Sequence, residues 1–197
     1  NFIGRSLPFF RWLEPRLGLP GTTAKDLYRG ANRVEPGLVR VDADEVTYNL
    51  HIMVRFELEL MLIEGTLEVA DLPEAWNRRY EEFLGLRPPN DTDGVLQDVH
   101  WSGGAIGYFP SYTLGNLYAA SLGATLESEY EDLWRDVEAG DFAPTLAWLR
   151  EHVHQHGHTL DGAERISAAV GQRDGVADLL DYLWGRHGAL YGAVRSV

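Results

Sequence analysis

The sequence contains no cysteine among its 197 residues. Disulfide bonds, thiolate catalysis and cysteine-ligated metals are therefore excluded. The absence of cysteine is compatible with a reducing compartment, and we predict a cytoplasmic location. The length is ordinary for one globular domain and allows a hydrophobic core to be buried, so we predict a single helical unit over residues 1–197.

Basic residues are outnumbered, because 17 Lys and Arg stand against 30 Asp and Glu and give a net charge of −13. Nucleic acids and anionic membrane surfaces attract basic patches, so this charge argues against both as partners. Apolar runs are also short, since none approaches the roughly 20 residues that a membrane-spanning helix needs. The start, Asn1 to Ser6, has no signal-peptide pattern and no initial Met. We expect either a processed start or a piece of a longer protein.

Several short catalytic motifs are also missing. The sequence has no His-Glu-x-x-His of zinc peptidases, no Gly-x-Ser-x-Gly elbow, no Gly-x-x-x-x-Gly-Lys phosphate loop and no Gly-x-Gly-x-x-Gly fingerprint. Short motifs alone therefore do not identify an enzyme.

Apolar residues that recur at three- and four-residue spacing predict an all-α fold. One short strand or hairpin is predicted near residues 33–41, because Leu38 to Val41 alternate after a Glu-Pro-Gly turn. Residues 86–109 are rich in Gly, Pro and polar side chains and predict a long ordered loop, which in compact domains tends to be functional. The predicted helices cover residues 26–32, 44–64, 71–85, 110–123, 127–139, 141–157, 161–171 and 174–187.

The first segment that could carry chemistry surrounds Arg40, where the predicted strand meets a predicted helix. A guanidinium flanked by valines is suited to bidentate recognition of a carboxylate. The alternative is that Arg40 pairs internally with Asp42 or Asp44 and only ties the strand to the helix. The residues alone leave both interpretations open.

The second segment runs from residue 94 to 112 and combines glycines with polar and aromatic side chains. Glycine lets the backbone approach another surface closely, and a Tyr hydroxyl or an imidazolium can stabilise an oxyanion in acyl transfer. The alternative is a buried aromatic loop whose polar tips are satisfied. The polar side chains of interest are Gln97, Asp98, His100, Tyr108 and Tyr112.

Four alternating histidines, His152, His154, His156 and His158, resemble a metal-binding tract. On a helix, however, residues two apart point to different faces, and only pairs such as His152 and His156 are neighbours. Cationic histidines near a helix C-terminus also favour the helix dipole. We expect no specific metal site in this tract.

Two longer motifs, in the same order, resemble those of the M32 (Taq-type) metallocarboxypeptidases. Residues 39–44, Val-Arg-Val-Asp-Ala-Asp, are similar to the family's Ile-Arg-x-x-Ala-Asp with Val in place of Ile. Residues 94–101 match Gly-x-x-Gln-Asp-x-His-Trp at every fixed position. Segments 45–52, 71–77, 107–116 and 179–191 also look typical, so the resemblance covers nearly the whole chain.

The resemblance implies a helical, cleft-type metallopeptidase fold, present here in part, and an enzyme that removes C-terminal residues from peptides as a homodimer. It implies that Arg40 binds the terminal carboxylate of the substrate, that Gln97 and His100 lie near the scissile bond, and that Tyr108 or Tyr112 donates to the tetrahedral intermediate. The family's zinc or cobalt is held by His-Glu-x-x-His and a following His-Glu-Ser, and this sequence contains neither motif.

We therefore expect the C-terminal, substrate-binding portion of a zinc metallocarboxypeptidase, with peptide C-termini as partners. Without the metal and a general-base Glu, the chain alone is predicted to be inactive. One alternative is a catalytically inactive peptide-binding or dimerisation module that lacks the metal site, and another is an independent metal-binding protein that uses the tract from His152 to His158.

Overall fold

The computed structural model describes residues 2–193, so Asn1 and residues 194–197 of the predicted unit lie outside the described residues. The described chain is helical and contains no strand, which confirms the predicted all-α class. The α-helices are α1 (Leu7–Leu17), α2 (Ala24–Ala31), α3 (Tyr48–Ile63), α4 (Leu72–Leu84), α5 (Pro110–Glu129), α6 (Leu133–Ala139), α7 (Ala143–His152), α8 (Gly162–Val170), α9 (Gly175–Leu183) and α10 (Ala189–Tyr191). A π-helical turn, Trp184–Gly188, precedes α10, and 3₁₀ turns lie at Arg40–Asp42, Val69–Asp71 and His154–His156.

Contacts within the chain define two compact units. The first contains Asn1–Asn32 and Asn116–Val197, and the second contains Arg33–Gly115. The boundary falls inside α5, whose first turn belongs to the second unit. The prediction of a single helical unit over the whole chain stays a prediction.

The first unit is built around aromatic packing between α1 and α6. Leu126, Leu133 and Val137 are buried at its centre. Burial of such side chains contributes about 1.5–3 kcal/mol each, which outweighs the weak propensity of helices as short as α6. The partly buried side chains packed against them are Phe2, Ile3, Phe9, Tyr130, Trp134, Phe142 and Trp148.

The second unit consists of α3 packed against α4, with the long loop 85–109 following. Val54 and Leu58 of α3 are fully enclosed against Trp76 and Tyr80 of α4. Their spacing of four residues in each helix places each pair on one face, as the periodicity predicts. Gly85 ends α4 in the left-handed conformation at φ 69°, which glycine adopts without steric cost.

The strand predicted near residues 33–41 does not form. The carbonyl oxygen of Val39 accepts a hydrogen bond from the Asp42 amide within a 3₁₀ turn, and the Arg40 amide donates to Gln97 Oε1. A strand needs a neighbouring strand to pair its backbone groups. Here these backbone groups are hydrogen-bonded within the 3₁₀ turn and to the side chain of Gln97 instead. Alternation of side chains predicted the extended approach of the chain but not its hydrogen bonds.

Several helix boundaries also differ from the prediction; α6, for example, begins at Leu133 rather than near residue 127. Helix α5 passes through the predicted break after residue 123 and continues to Glu129. Gly123 lies inside the helix without a positive φ, and the ring of Phe2 packs where a Cβ would stand. Helix α7 ends at His152 rather than near residue 157, and His154–His156 form a separate 3₁₀ turn.

Candidate functional site

The candidate site lies within the second unit, where the 3₁₀ turn at Arg40–Asp42, helix α3 and the loop 85–109 contact one another. Its charged members are buried: the side chains of Arg40, Arg55 and Asp98 are 8%, 0% and 12% exposed. Buried charges are costly unless they are paired and hydrogen-bonded. The pairing of these three groups therefore determines what the site can do.

Arg40 binds one oxygen of Asp98. Its Nε and Nη2 lie 3.2 Å and 2.8 Å from Asp98 Oδ1, and its Nη1 donates to the Tyr48 hydroxyl at 3.3 Å. The internal partner of Arg40 is thus Asp98, not Asp42 or Asp44 as the alternative interpretation had it. Asp44 is not its partner because its carboxylate accepts backbone N–H groups, two of them in the turn before α3.

Asp44 is occupied by the turn at residues 45–47, which precedes α3. Its Oδ1 accepts the backbone N–H groups of Val46 and Thr47, and its Oδ2 accepts the Glu35 N–H and the Thr47 hydroxyl. These contacts satisfy backbone donors of the turn that leads into the helix. The acidic residue at this position is therefore structural.

The flanking valines do not enclose Arg40, since Val41 is 72% exposed and Val39 is also exposed. Aromatic rings enclose the guanidinium instead. The Cζ atom of Arg40 lies 5.0 Å from the ring centroid of Tyr112 and 5.9 Å from that of Phe109. Both distances are within the range of a cation–π contact.

Asp98 is shared between two guanidinium groups. Arg55 approaches Oδ2 with both Nε and Nη2 at 2.6 Å, opposite the Arg40 contact on Oδ1. Burial raises the pKa of the Asp98 carboxyl, but the hydrogen bond from Arg40 and the charge of Arg55 outweigh burial, so the pKa lies below its ordinary value. Asp98 is therefore a carboxylate at neutral pH.

Arg55 was not among the residues predicted from the sequence. A periodic signal marks it: His51, Arg55 and Glu59 recur every four residues of α3, and all three are buried. Polar residues at this spacing form one stripe on a helix. A polar stripe beside the apolar Val54 and Leu58 indicates a buried polar network rather than a solvated face.

His51 and Tyr80 continue this network between α3 and α4. The Tyr80 hydroxyl donates to the Leu38 carbonyl oxygen, accepts from Arg55 Nη1, and lies 3.1 Å from His51 Nδ1. Because the phenol proton is used by Leu38, His51 Nδ1 must carry the hydrogen of this contact. Burial raises the pKa of Tyr80 and keeps its hydroxyl protonated.

Gln97 joins the loop to both arginines. Its Oε1 accepts from the Arg40 backbone N–H at 3.2 Å and from Arg55 Nη2 at 2.9 Å. Its Nε2 donates to the carbonyl oxygens of Leu38 and Asp93. Both donors and both acceptor positions of the amide are therefore occupied within the chain.

His100 and Tyr112 form a hydrogen-bonded pair beside Arg40. His100 Nε2 lies 3.0 Å from the Tyr112 hydroxyl, and Nδ1 lies 3.7 Å from Asp98 Oδ1. The His100 ring also packs on Phe109 at 4.5 Å and on Tyr108 at 5.8 Å. Tyr108 is 49% exposed. The structure thus brings together all five predicted site residues.

Glu59 holds the glycine-rich part of the loop. Its Oε1 accepts the backbone N–H of Gly107, which adopts φ 77° just before Tyr108. Glu59 Oε2 is buried and accepts no hydrogen bond from the described residues. This contact ties the Tyr108 segment to α3.

The histidine tract gives no metal centre within the described residues. His152 stacks on Trp148 at 4.4 Å and its Nδ1 contacts the Trp148 carbonyl oxygen, while helix α7 ends before His156. Across residues 2–193, no group of three or more His, Cys, Asp or Glu side chains is arranged to hold a metal ion. In the same range no helix has both the length and the apolar character to cross a membrane.

Comparison with known proteins identifies a common sequence pattern. The family of carboxypeptidase Taq (M32) metallopeptidases matches residues 1–187. The chain is 45% identical over 197 residues to thermostable carboxypeptidase 1 of Thermus thermophilus, covering 98% of this chain and 39% of that protein. It is 39% identical over 197 residues to carboxypeptidase 1 of Bacillus subtilis, covering 97% of this chain and 39% of that one.

Comparison with solved structures gives the same result for the fold. The crystal structure of the M32 carboxypeptidase from Deinococcus radiodurans R1 matches with a TM-score of 0.94 and 43% identity, covering 98% of this chain and 40% of that chain. The fold is thus that of part of an M32 carboxypeptidase, as the sequence predicted. The chain spans about 39% of the length of the curated relatives it matches.

Proposed function

The chain belongs to the carboxypeptidase Taq (M32) metallopeptidase family, and from that premise we propose that it is the substrate-binding portion of a metallocarboxypeptidase. In this proposal, Arg40 binds the C-terminal carboxylate of a peptide. The relatives are carboxypeptidases by name, and a terminal carboxylate is the group that an enzyme of this kind must recognise.

The observation that carries the proposal is the hydrogen bonding of Arg40. A guanidinium has five N–H donors, and Asp98 and Tyr48 use three of them. The remaining donors have no acceptor among the described residues, and the side chain keeps 8% exposure. An oriented guanidinium of this kind is suited to a planar carboxylate, which it binds with two parallel hydrogen bonds.

The other predicted site residues receive distinct parts in this proposal. We assign to His100 and Tyr112, which contact each other, hydrogen bonds to the peptide group next to the terminal carboxylate. Tyr108 is the more exposed tyrosine and contacts the body of the peptide. Gln97 supports Arg40 rather than binding substrate, since its amide is fully occupied.

The family's metal does not fit the described residues, which contain no suitable ligand group. The proposal therefore assigns the metal, zinc or cobalt, to other residues of the complete enzyme and derives no step through it. Homodimeric assembly and a cytoplasmic location of that enzyme stay predictions of the resemblance.

The carboxylate assignment is tested by binding. Titration calorimetry would compare a short peptide that has a free C-terminal carboxylate with the same peptide as its C-terminal amide. We expect the free acid to bind at least about tenfold more tightly, because a charge-assisted pair contributes about 1.5–3 kcal/mol. Arg40→Lys should lose most of this preference, since an ammonium cannot bind bidentately. Equal affinity for acid and amide in the unmodified chain would refute the proposal.

The assignment of the metal is tested separately by incubating this chain with a peptide and zinc, with a chelator as the control. We expect no release of the C-terminal amino acid. Chelator-sensitive release would show that these residues hold a catalytic metal after all. The alternating histidines 152–158 would then be the first residues to replace.

A further inference from the structure

Arg55 differs from Arg40 in having no donor left for a ligand. Its N–H groups contact Asp98 Oδ2, Gln97 Oε1, the His51 carbonyl oxygen and the Tyr80 hydroxyl at 2.6–3.2 Å. These contacts account for all five donors of the guanidinium. The side chain is 0% exposed, so Arg55 cannot receive a ligand and acts only on its neighbours.

Two aromatic rings, those of Trp76 and Phe109, enclose the Arg55 guanidinium. Its Cζ atom lies 4.7 Å from the centroid of Trp76 and 5.5 Å from that of Phe109. Trp76 is itself buried and stacks on Tyr80 at 5.1 Å. Because interiors are close-packed, a guanidinium enclosed in this way has one orientation. The two acceptors that face it, Asp98 and Gln97, are oriented in turn.

The same two acceptors orient Arg40. Asp98 presents Oδ1 to the Arg40 side chain while Oδ2 is held by Arg55. Gln97 Oε1 accepts both the Arg40 backbone N–H and Arg55 Nη2. The two loop residues that accept hydrogen bonds from Arg40, Asp98 and Gln97, therefore also accept hydrogen bonds from Arg55.

We propose that Arg55 is a positioning residue for Arg40: through Asp98 and Gln97 it holds the Arg40 guanidinium in the orientation that receives a peptide's C-terminal carboxylate. The inference rests on the function proposed for Arg40. Preorganised hydrogen-bond donors bind more tightly than mobile ones, because their ordering cost has already been met in folding. Two guanidinium groups also share the single negative charge of Asp98. The net positive charge of this group of three residues favours an anionic ligand such as a carboxylate.

Arg55→Lys tests the inference, because lysine keeps the charge but cannot contact Asp98 and Gln97 together. The readout is the ratio of the dissociation constants for the amidated and the free-acid peptide. We expect this ratio to fall about tenfold, with affinity for the amide changed by less than about twofold. A merely structural role would weaken both peptides equally or lower the binding-competent fraction, and would leave the ratio unchanged.

Arg79→Lys is the matched control, since Arg79 of α4 pairs with Glu57 and Glu82 and contacts none of the site residues named above. Its ratio should equal that of the unmodified chain. Tyr80→Phe is a second variant for the case that Arg55→Lys does not fold; it removes the hydroxyl that accepts from Arg55, which also donates to the Leu38 carbonyl oxygen and contacts His51. It should lower the ratio about threefold.

The outcomes separate the two proposals. If the unmodified chain shows no preference for the free acid, the function proposed for Arg40 fails and this inference fails with it. If the unmodified chain prefers the acid and a folded Arg55→Lys or Tyr80→Phe keeps the full preference, only the positioning role is overturned. Circular dichroism and thermal unfolding of each variant establish that it is folded.

Discussion

Protonation of His51 should destabilise the chain below neutral pH. His51 is fully enclosed between α3 and α4, and its Nε2 has no hydrogen-bond partner among the described residues. Burial lowers the pKa of His51, the charges of Arg55 and Arg40 lower it further, and it falls from 6.5 to about 4. A proton added at Nε2 would place a second N–H in an interior that offers it no acceptor.

The direction and size of the effect follow from linkage. Since the pKa of His51 is lower in the folded than in the unfolded state, the unfolded chain takes up the proton first as the pH falls through 6.5. Stability is therefore full above pH 6.5 and is lost between about pH 6.5 and 4. A shift from 6.5 to about 4 corresponds to about 3 kcal/mol at 1.36 kcal/mol per pKa unit.

Urea unfolding at pH 7.5 and pH 4.5, followed by circular dichroism, measures this loss. Carboxylates also titrate near the lower pH, so the informative quantity is the difference between the unmodified chain and His51→Gln. We expect the unmodified chain to lose about 2–3 kcal/mol more of its free energy of unfolding than the variant. His154→Gln, which alters an exposed histidine, should behave like the unmodified chain. Identical pH dependence in His51→Gln would refute the account.

Two further predictions concern backbone contacts. Glu59→Gln should change the free energy of unfolding by less than about 1 kcal/mol, because the amide oxygen can still accept the Gly107 N–H. Glu59→Ala removes this acceptor and should cost about 2–3 kcal/mol. Equal costs of the two variants in urea unfolding would contradict this prediction. Gly140→Ala should cost about 2–4 kcal/mol, because Gly140 has φ 81° and a Cβ would overlap the indole of Trp12. Gly18 has φ 60° and open space around it, so Gly18→Ala should cost only about 1 kcal/mol. Equal decreases in Tm for Gly18→Ala and Gly140→Ala would contradict the predicted overlap with Trp12.

The helices were the most predictable part of the fold, because apolar periodicity and end signals act locally. The apolar spacing between Asp44 and Glu64 predicted α3, and Asp71-Leu72-Pro73 and Gly85 marked the limits of α4 to within a residue or two. The strand near residues 33–41 was wrong for a reason that is not local. Alternation says which way side chains point, but a strand forms only where backbone partners exist.

The polar network was less predictable than the helices for a similar reason. The sequence indicated Arg40 and the loop 94–112 as separate segments. In the structure they are joined by the hydrogen bonds that Arg40 donates to the carboxylate of Asp98. Its partner lies 58 residues away in sequence, and no spacing rule connects positions so distant. Arg55 was missed although His51, Arg55 and Glu59 carry a four-residue repeat, because charged residues on a helix are more often solvated.

The network also separates the residues of the two family-like motifs by task. Gln97 has no hydrogen-bonding capacity left after holding Arg40, Arg55 and the backbone, and Asp98 has both oxygens committed to the arginines. Arg40 keeps unused donors, and His100 keeps a buried Nδ1 without a hydrogen-bond partner among the described residues. Since a ligand can bind only where accessible donors or acceptors are still available, substrate recognition should concentrate on Arg40. Asp98, Gln97 and Arg55 then determine affinity through the orientation of Arg40, and the ratio of acid to amide binding is the quantity in which that effect should be measured.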